Sequence, residues 1–119
     1  MTSRALSTIL LLFLCAAASA QSNSEAEFTR RIADAIRETS TITVGMTRGD
    51  LIRVFTVEGG LSTRAQRTYV FRRCPYIKVD VEFQVEHLRD SEGRIPLPES
   101  DEDVIRRISR PYLAWTISD

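Results

Sequence analysis

Residues Ile77 to His87 alternate between apolar and polar side chains, and this pattern limits the fold more than any other part of the chain. Since successive side chains of a strand point to opposite faces, the segment predicts a β-strand with one buried and one wet face. The side chains expected on the buried face are Ile77, Val79, Val81, Phe83 and Val85. The wet face is expected to carry Lys78, Asp80, Glu82, Gln84 and Glu86. A sheet whose core lies on one side is therefore expected.

A second strand is predicted just before it, over residues 67–73, and Pro75 between the two indicates a hairpin. Two registers fit this sequence. A two-residue turn at Pro75-Tyr76 puts Cys74 opposite Ile77, facing inward. A three-residue turn leaves Cys74 in the loop and places Tyr69 and Phe71 on the core face with Val79 and Val81. The second register is preferred because it buries more aromatic surface, and a slip of one residue would reverse every side chain.

Helical periodicity precedes the strands. Phe28, Ile32, Ala35 and Ile36 predict an amphipathic helix from about Glu25 to Glu38, with Ser24 as its N-cap.

A second, shorter helix is expected after Gly45. Thr47 would be its N-cap and Asp50 would complete a capping box. Leu51, Val54 and Phe55 would form its apolar face, and Gly59-Gly60 follows as a stop.

The last strand is predicted over Val104 to Ser109, after a long loop from Leu88 to Asp103 that should be solvated. Pro111 then forces an edge, a bulge or the end of the strand. The sequence therefore predicts an α+β fold, with two N-terminal helices packed on one face of a three-stranded antiparallel sheet, in the order ααβββ.

The first twenty residues have the pattern of a cleaved signal peptide. Arg4 precedes the uncharged run Ala5 to Ala18, and Ala18-Ser19-Ala20 offers a cleavage site near Ala20. The run is shorter than the roughly 20 apolar residues of a membrane-spanning helix. Lipidation at Cys15 is the alternative, but Leu14 stands where a small residue is needed. Residues 21–119 are thus expected to form a single α+β domain without a transmembrane segment, secreted or periplasmic.

Charge and cysteine content exclude several classes of function. The chain has 16 basic and 16 acidic residues, and a neutral domain lacks the positive charge that nucleic acid binding requires. After cleavage Cys74 is the remaining cysteine, so no internal disulfide is expected. No spacing typical of a metal site, a cofactor site or a catalytic constellation is present. We therefore expect a protein that is not an enzyme and uses no cofactor.

One short segment carries a family resemblance. Val44-Gly45-Met46-Thr47-Arg48-Gly49-Asp50-Leu51, placed between a first helix and a run of strands, resembles the "GMT" segment of SmpA/OmlA (BamE-like) domains. This group of small exported domains extends to the repeats of β-lactamase-inhibitory proteins. The resemblance implies the fold and not an activity, and the chain departs from the BamE-like pattern because it lacks a usable lipidation cysteine. It implies only structural roles for Gly45, Met46 and Thr47.

The charges are unevenly placed. Every charge between Glu58 and Asp80 is positive, whereas the stretch from Asp80 to Asp103 is mostly acidic. The two stretches can pair with each other, which is the favoured interpretation, or form a dipolar surface that orients a partner. Arginine and aromatic residues are typical contacts at interfaces, so the candidate protein-binding residues are Arg64, Arg67, Arg72, Tyr112 and Trp115.

We therefore predict an exported, non-enzymatic protein-binding or envelope-scaffold module, whose partner is another envelope or secreted protein. One alternative is a module that binds a small molecule or lipid between helices and sheet. Another is a thiol-dependent enzyme at Cys74 with His87 as its base. The sequence leaves the oligomeric state and the identity of the partner open.

Overall fold

The structure is a computed structural model that describes residues 22–115, so the predicted signal peptide lies outside the described residues. Two compact units divide the chain, Met1–Ala35 and Ile36–Asp119, and the sheet belongs to the second. Helices and an antiparallel sheet together make an α+β protein, as predicted. Within residues 22–115 no helix has both the length and the apolar character needed to cross a membrane.

The first helix, α1, is described over residues 22–39. The N-cap prediction is wrong, since Ser24 lies inside the helix. Of the four residues in the predicted apolar stripe, Phe28, Ile32 and Ile36 are exposed by 65%, 44% and 59%. The fourth, Ala35, is buried, and so is Thr39. Ala35 and Thr39 lie four apart on one side of the helix, so the buried side shares only Ala35 with the predicted stripe.

The second helix, α2, spans Arg48–Val54 and begins with the predicted capping box. The Thr47 hydroxyl accepts the Asp50 N–H at 3.2 Å, and the Asp50 carboxylate accepts the Thr47 N–H at 3.1 Å. The helix ends sooner than predicted, because Phe55 begins a strand. Phe55 pairs with Phe71 across that strand and is fully buried against its ring, so sheet pairing overrides the helical periodicity.

The sheet has five strands, where three were predicted. They are β1 (Phe55–Val57), β2 (Gln66–Phe71), β3 (Cys74–Gln84), β4 (Val104–Ile108) and β5 (Tyr112–Leu113). All pairs are antiparallel in the order β1-β2-β3-β4, and β5 pairs with the first half of β3. The strands that the sequence did not reveal are the two shortest, with three and two residues. Segments of that length are too short to show a period of two.

The hairpin buries the side chains that the preferred register placed on the core face, but its turn lies at a different position. Tyr69 pairs with Val79, and Tyr69 and Phe71 are buried on the core face, as preferred. The chain reverses at Arg72-Arg73, however, and Cys74 pairs with Phe71 instead of lying in the loop. A bulge between Val70 and Phe71 reconciles this earlier turn with the buried aromatic residues.

The segment that carries the family resemblance is joined to the start of β4. The Gly45 N–H donates to the Ile105 carbonyl at 2.9 Å, and the Ile105 N–H donates to the Met46 carbonyl at 2.8 Å. The Gly49 N–H then donates to the Asp101 carbonyl at 2.8 Å. A Cβ on Gly49 would stand 3.3 Å from that carbonyl oxygen, so the absence of a side chain permits the close approach.

Candidate binding surface

Two groups of side chains in the second unit are candidates for a functional site. The first, which we call the charge cluster, lies where the start of α2, β2 and the loop before β4 meet; its members are Arg48, Arg64, Arg67, Glu99 and Asp103. The second, which we call the apolar groove, lies along the first half of β3 and β5; its lining residues are Cys74, Tyr76, Leu113, Ala114 and Trp115.

Asp103 is the centre of the charge cluster. Its carboxylate accepts hydrogen bonds from Arg64 Nε at 3.0 Å, from Arg64 Nη2 at 2.7 Å and from Arg48 Nη2 at 3.1 Å. Burial acts to raise the pKa of Asp103, but the hydrogen bonds from Arg64, the Ser100 N–H and Arg48 outweigh it and hold the pKa below its usual value. The same pairing raises the pKa of Arg64. The end of the loop before β4 is thus not solvated, contrary to the prediction, because Asp103 is buried between two guanidinium groups.

Arg48 is the member of this cluster that sequence reasoning missed. It is 3% exposed and donates to the Tyr69 hydroxyl at 2.5 Å and to the Arg64 carbonyl at 2.8 Å. Its guanidinium also lies 3.7 Å from the centroid of the Phe83 ring, which is cation–π contact. A lone arginine in the first turn of a short helix is normally expected at the surface, so the sequence carries no signal that Arg48 is buried in the charge cluster.

Two of the predicted contact residues, Arg64 and Arg67, are paired with acidic residues inside the charge cluster. Arg64 is bound to Asp103, and Arg67 pairs with Glu99 at 3.0 Å and donates to the Ser62 hydroxyl at 2.6 Å. The favoured interpretation of the charge distribution, pairing between the basic and acidic stretches, accounts for these contacts. Charges compensated within the fold offer little to a partner. The charge cluster therefore has a structural role, because it connects the start of α2 and the region of β2 to the loop before β4.

The apolar groove has the opposite character, because large apolar side chains face solvent there. Leu113 is 79% exposed and Trp115 is 84% exposed, around a space of about 560 Å³. The Trp115 ring contacts the Tyr76 ring edge-on, with centroids 5.6 Å apart and an interplanar angle of 82°. Cys74 is a free, half-buried cysteine in the lining. These aromatic and aliphatic residues can bind apolar surface.

The remaining predicted residues are spread over the same end of the sheet. Arg72 is exposed in the turn between β2 and β3, and its guanidinium donates to the Ile52 carbonyl at 2.6 and 2.8 Å. Tyr112 does not line the groove; its hydroxyl donates to Asp80 at 3.0 Å. Burial, followed by this hydrogen bond, raises the pKa of Tyr112. The structure thus brings Arg64 and Arg67 together and places only Trp115 in the groove.

Next to the groove, one residue of the face predicted to be wet is buried. Lys78, assigned to the wet face by its parity, is 3% exposed. That assignment is wrong because β5 pairs with β3 at this position and the chain after β5 passes over the Lys78 ammonium, which donates to the Trp115 carbonyl at 2.6 Å. The same ammonium group forms a salt bridge with the Glu58 carboxylate.

The remaining candidates for chemistry are a metal site and the predicted Cys74–His87 pair. Within residues 22–115 no group of three or more histidine, cysteine, aspartate or glutamate side chains is arranged to hold a metal ion. His87 is exposed on a short 3-10 helix over Glu86–Leu88, whereas Cys74 lies at the first residue of β3.

Comparison of this chain with protein-family models, with curated proteins and with solved structures finds no match. The function is therefore inferred from the chemistry of the surface itself.

Proposed function

We propose that this chain is an exported, non-enzymatic module that binds another secreted or envelope protein through the apolar groove. The occupant is an extended apolar segment of that protein with acidic residues beside it. Leu113 and Trp115 are the anchors of the interaction, and Tyr76 supports the Trp115 ring. Of the residues predicted from sequence, Trp115 makes the contact and Arg72 provides the charge.

The exposed aromatic and aliphatic surface is the observation that carries this proposal. Burying Leu113 and Trp115 in water-free contact would remove apolar area worth about 25 cal/mol per Å². Tryptophan and tyrosine are enriched among the residues that dominate interface energies. Most of the surface of each side chain faces solvent, so this apolar area is available to a partner.

The charge of the turn that precedes the groove residue Cys74 in the chain favours an acidic partner. Arg72 and Arg73 directly precede Cys74, and both are exposed. Arg73 is paired with Glu38, but the Arg72 guanidinium contacts only a backbone carbonyl among the described residues. A carboxylate on the partner would complement the uncompensated Arg72, which would raise the association rate and fix the orientation of the bound segment. The resemblance to SmpA/OmlA domains concerns the fold and stays a prediction.

Site-specific photocrosslinking in the producing cell tests the proposal. p-Benzoylphenylalanine is placed at Leu113 and, as a matched control, at Leu97, which is a leucine of similar exposure in the loop before β4. We expect one adduct from position 113 that position 97 does not give. The crosslinked peptide should be apolar with acidic neighbours, and its synthetic copy should bind the parent protein and not Leu113→Ser.

The result that would overturn the proposal is the absence of a position-specific protein adduct. An apolar small molecule is the competing occupant, because about 560 Å³ lies within the range of ligand pockets. Native mass spectrometry of the protein isolated from the same cells distinguishes the two. A retained small molecule that Leu113→Ser lacks, without a protein adduct, would replace the proposed function by ligand binding.

A further inference from the structure

We infer that Lys78 is a positioning residue that holds Trp115 in the wall of the apolar groove. The inference rests on the proposed function, because it concerns how the groove is shaped before a partner arrives. Its basis is the contact described above: a buried ammonium group donates to the backbone carbonyl of the residue whose side chain forms the wall.

The position of Lys78 in the sheet explains why the contact forms. Lys78 lies between Val70 of β2 and Tyr112 of β5, on the face opposite Val79 and the core. Burial of a lysine is costly unless its charge is paired. Glu58, which follows β1, supplies the counter-charge, and its side chain is itself 11% exposed. The ammonium group then has a further N–H directed at the Trp115 carbonyl, which forms a charge-assisted hydrogen bond.

This contact holds a segment that has few other attachments within residues 22–115. β5 is two residues long, and beyond it the Ala114 N–H donates to the Tyr76 carbonyl at 2.9 Å. The Trp115 side chain touches the Tyr76 ring and is otherwise largely exposed. Without the Lys78 hydrogen bond, the backbone of Trp115 would lose its charged partner. The Trp115 side chain would then be less ordered in the free protein. Binding of the partner would have to order it, and this entropy cost reduces the affinity.

The experiment compares the parent protein with Glu58→Met/Lys78→Met. The double replacement removes the tether without leaving a buried unpaired charge, so the sheet should still fold. Trp115 is the one tryptophan of the chain, so the tryptophan band of the near-ultraviolet circular dichroism spectrum and the tryptophan fluorescence anisotropy report on it directly. Arg107→Met is the matched control, since it removes the exposed Arg107–Glu82 pair from the same face of the sheet.

We expect the double variant to lose at least about half of the tryptophan band and to bind the anionic apolar dye 8-anilinonaphthalene-1-sulfonate roughly three- to tenfold more weakly, the range for ordering one side chain on binding. Arg107→Met should match the parent in both measurements. An unchanged tryptophan band and anisotropy would overturn the inference, as would a lost band with unchanged dye affinity. Failure of the proposed function is a separate result: the parent would give no protein adduct at position 113, while the tryptophan band would still decide the role of Lys78.

Discussion

Replacing Asp103 by asparagine should cause the largest loss of stability of any isosteric substitution in the charge cluster. The side chain is 5% exposed and bridges Arg48 and Arg64 through three hydrogen bonds. Asparagine keeps the shape and one acceptor oxygen but removes the negative charge. Arg48, which is 3% exposed, then retains only the Glu99 carboxylate as a counter-ion, at 3.4 Å.

The magnitude follows from the burial of these charges. Removal of one partner of a buried ion pair costs about 3–5 kcal/mol, and the lower end applies because the asparagine oxygen still accepts one hydrogen bond. For a domain of this size each kcal/mol lowers Tm by about 4–8 °C. A loss of about 3 kcal/mol is therefore a decrease in Tm of roughly 12–24 °C, out of a total stability of about 5–15 kcal/mol.

Urea unfolding and thermal unfolding of the purified protein measure this loss, with Asp101→Asn as the control. Asp101 lies in the same loop, and its side chain is exposed. Its backbone carbonyl accepts the hydrogen bond from the Gly49 N–H, which the substitution leaves in place. The control should remain within about 0.5 kcal/mol of the parent. If Asp103→Asn were equally close to the parent, the reasoning that the buried charges depend on this carboxylate would be refuted.

Four further outcomes are expected. The pKa of Asp103 is lowered in the folded state, so its contribution is complete above the unfolded pKa of about 3.9 and is lost as pH falls through the folded value; urea titrations below pH 4 should show the gap between parent and Asp103→Asn closing. Tyr69→Phe removes an acceptor from buried Arg48 and should cost about 1–3 kcal/mol in the same assay. Thr47→Ala removes the N-cap and should cost about 1 kcal/mol, whereas a cost near zero would contradict the capping geometry. Leu113→Ser should change stability by less than about 0.5 kcal/mol, because the side chain is 79% exposed, and a larger loss would place Leu113 in the core.

The elements with strong local signals were predictable. The alternation in β3 predicted a strand with its core face, and Val79, Val81, Phe83 and Val85 are buried as expected. The cap at Thr47 and the strand over 104–108 also follow from local sequence. Such features depend on neighbouring residues, so a single sequence contains the information that sets them.

The composition of the candidate site was less predictable. The sequence pointed to a row of arginines, but Arg64 and Arg67 are neutralised by residues more than 30 positions away in the chain. It contained no sign that Arg48 and Lys78 would be buried. Burial of a charged side chain depends on which distant carboxylate reaches it, and no local periodicity encodes that distance.

The sequence by itself determined the secondary structure wherever hydrophobic period, capping and turn residues agree, and with it the α+β class. Only the tertiary structure decided which charges are compensated and which apolar side chains remain in solvent. Phe55 lies in a strand because β2 is available to pair with it. Trp115 lies at the surface because β5 pairs with β3 and ends before Trp115. The physical reason is that both outcomes depend on long-range pairing, whose free energy outweighs the weak preferences of short segments.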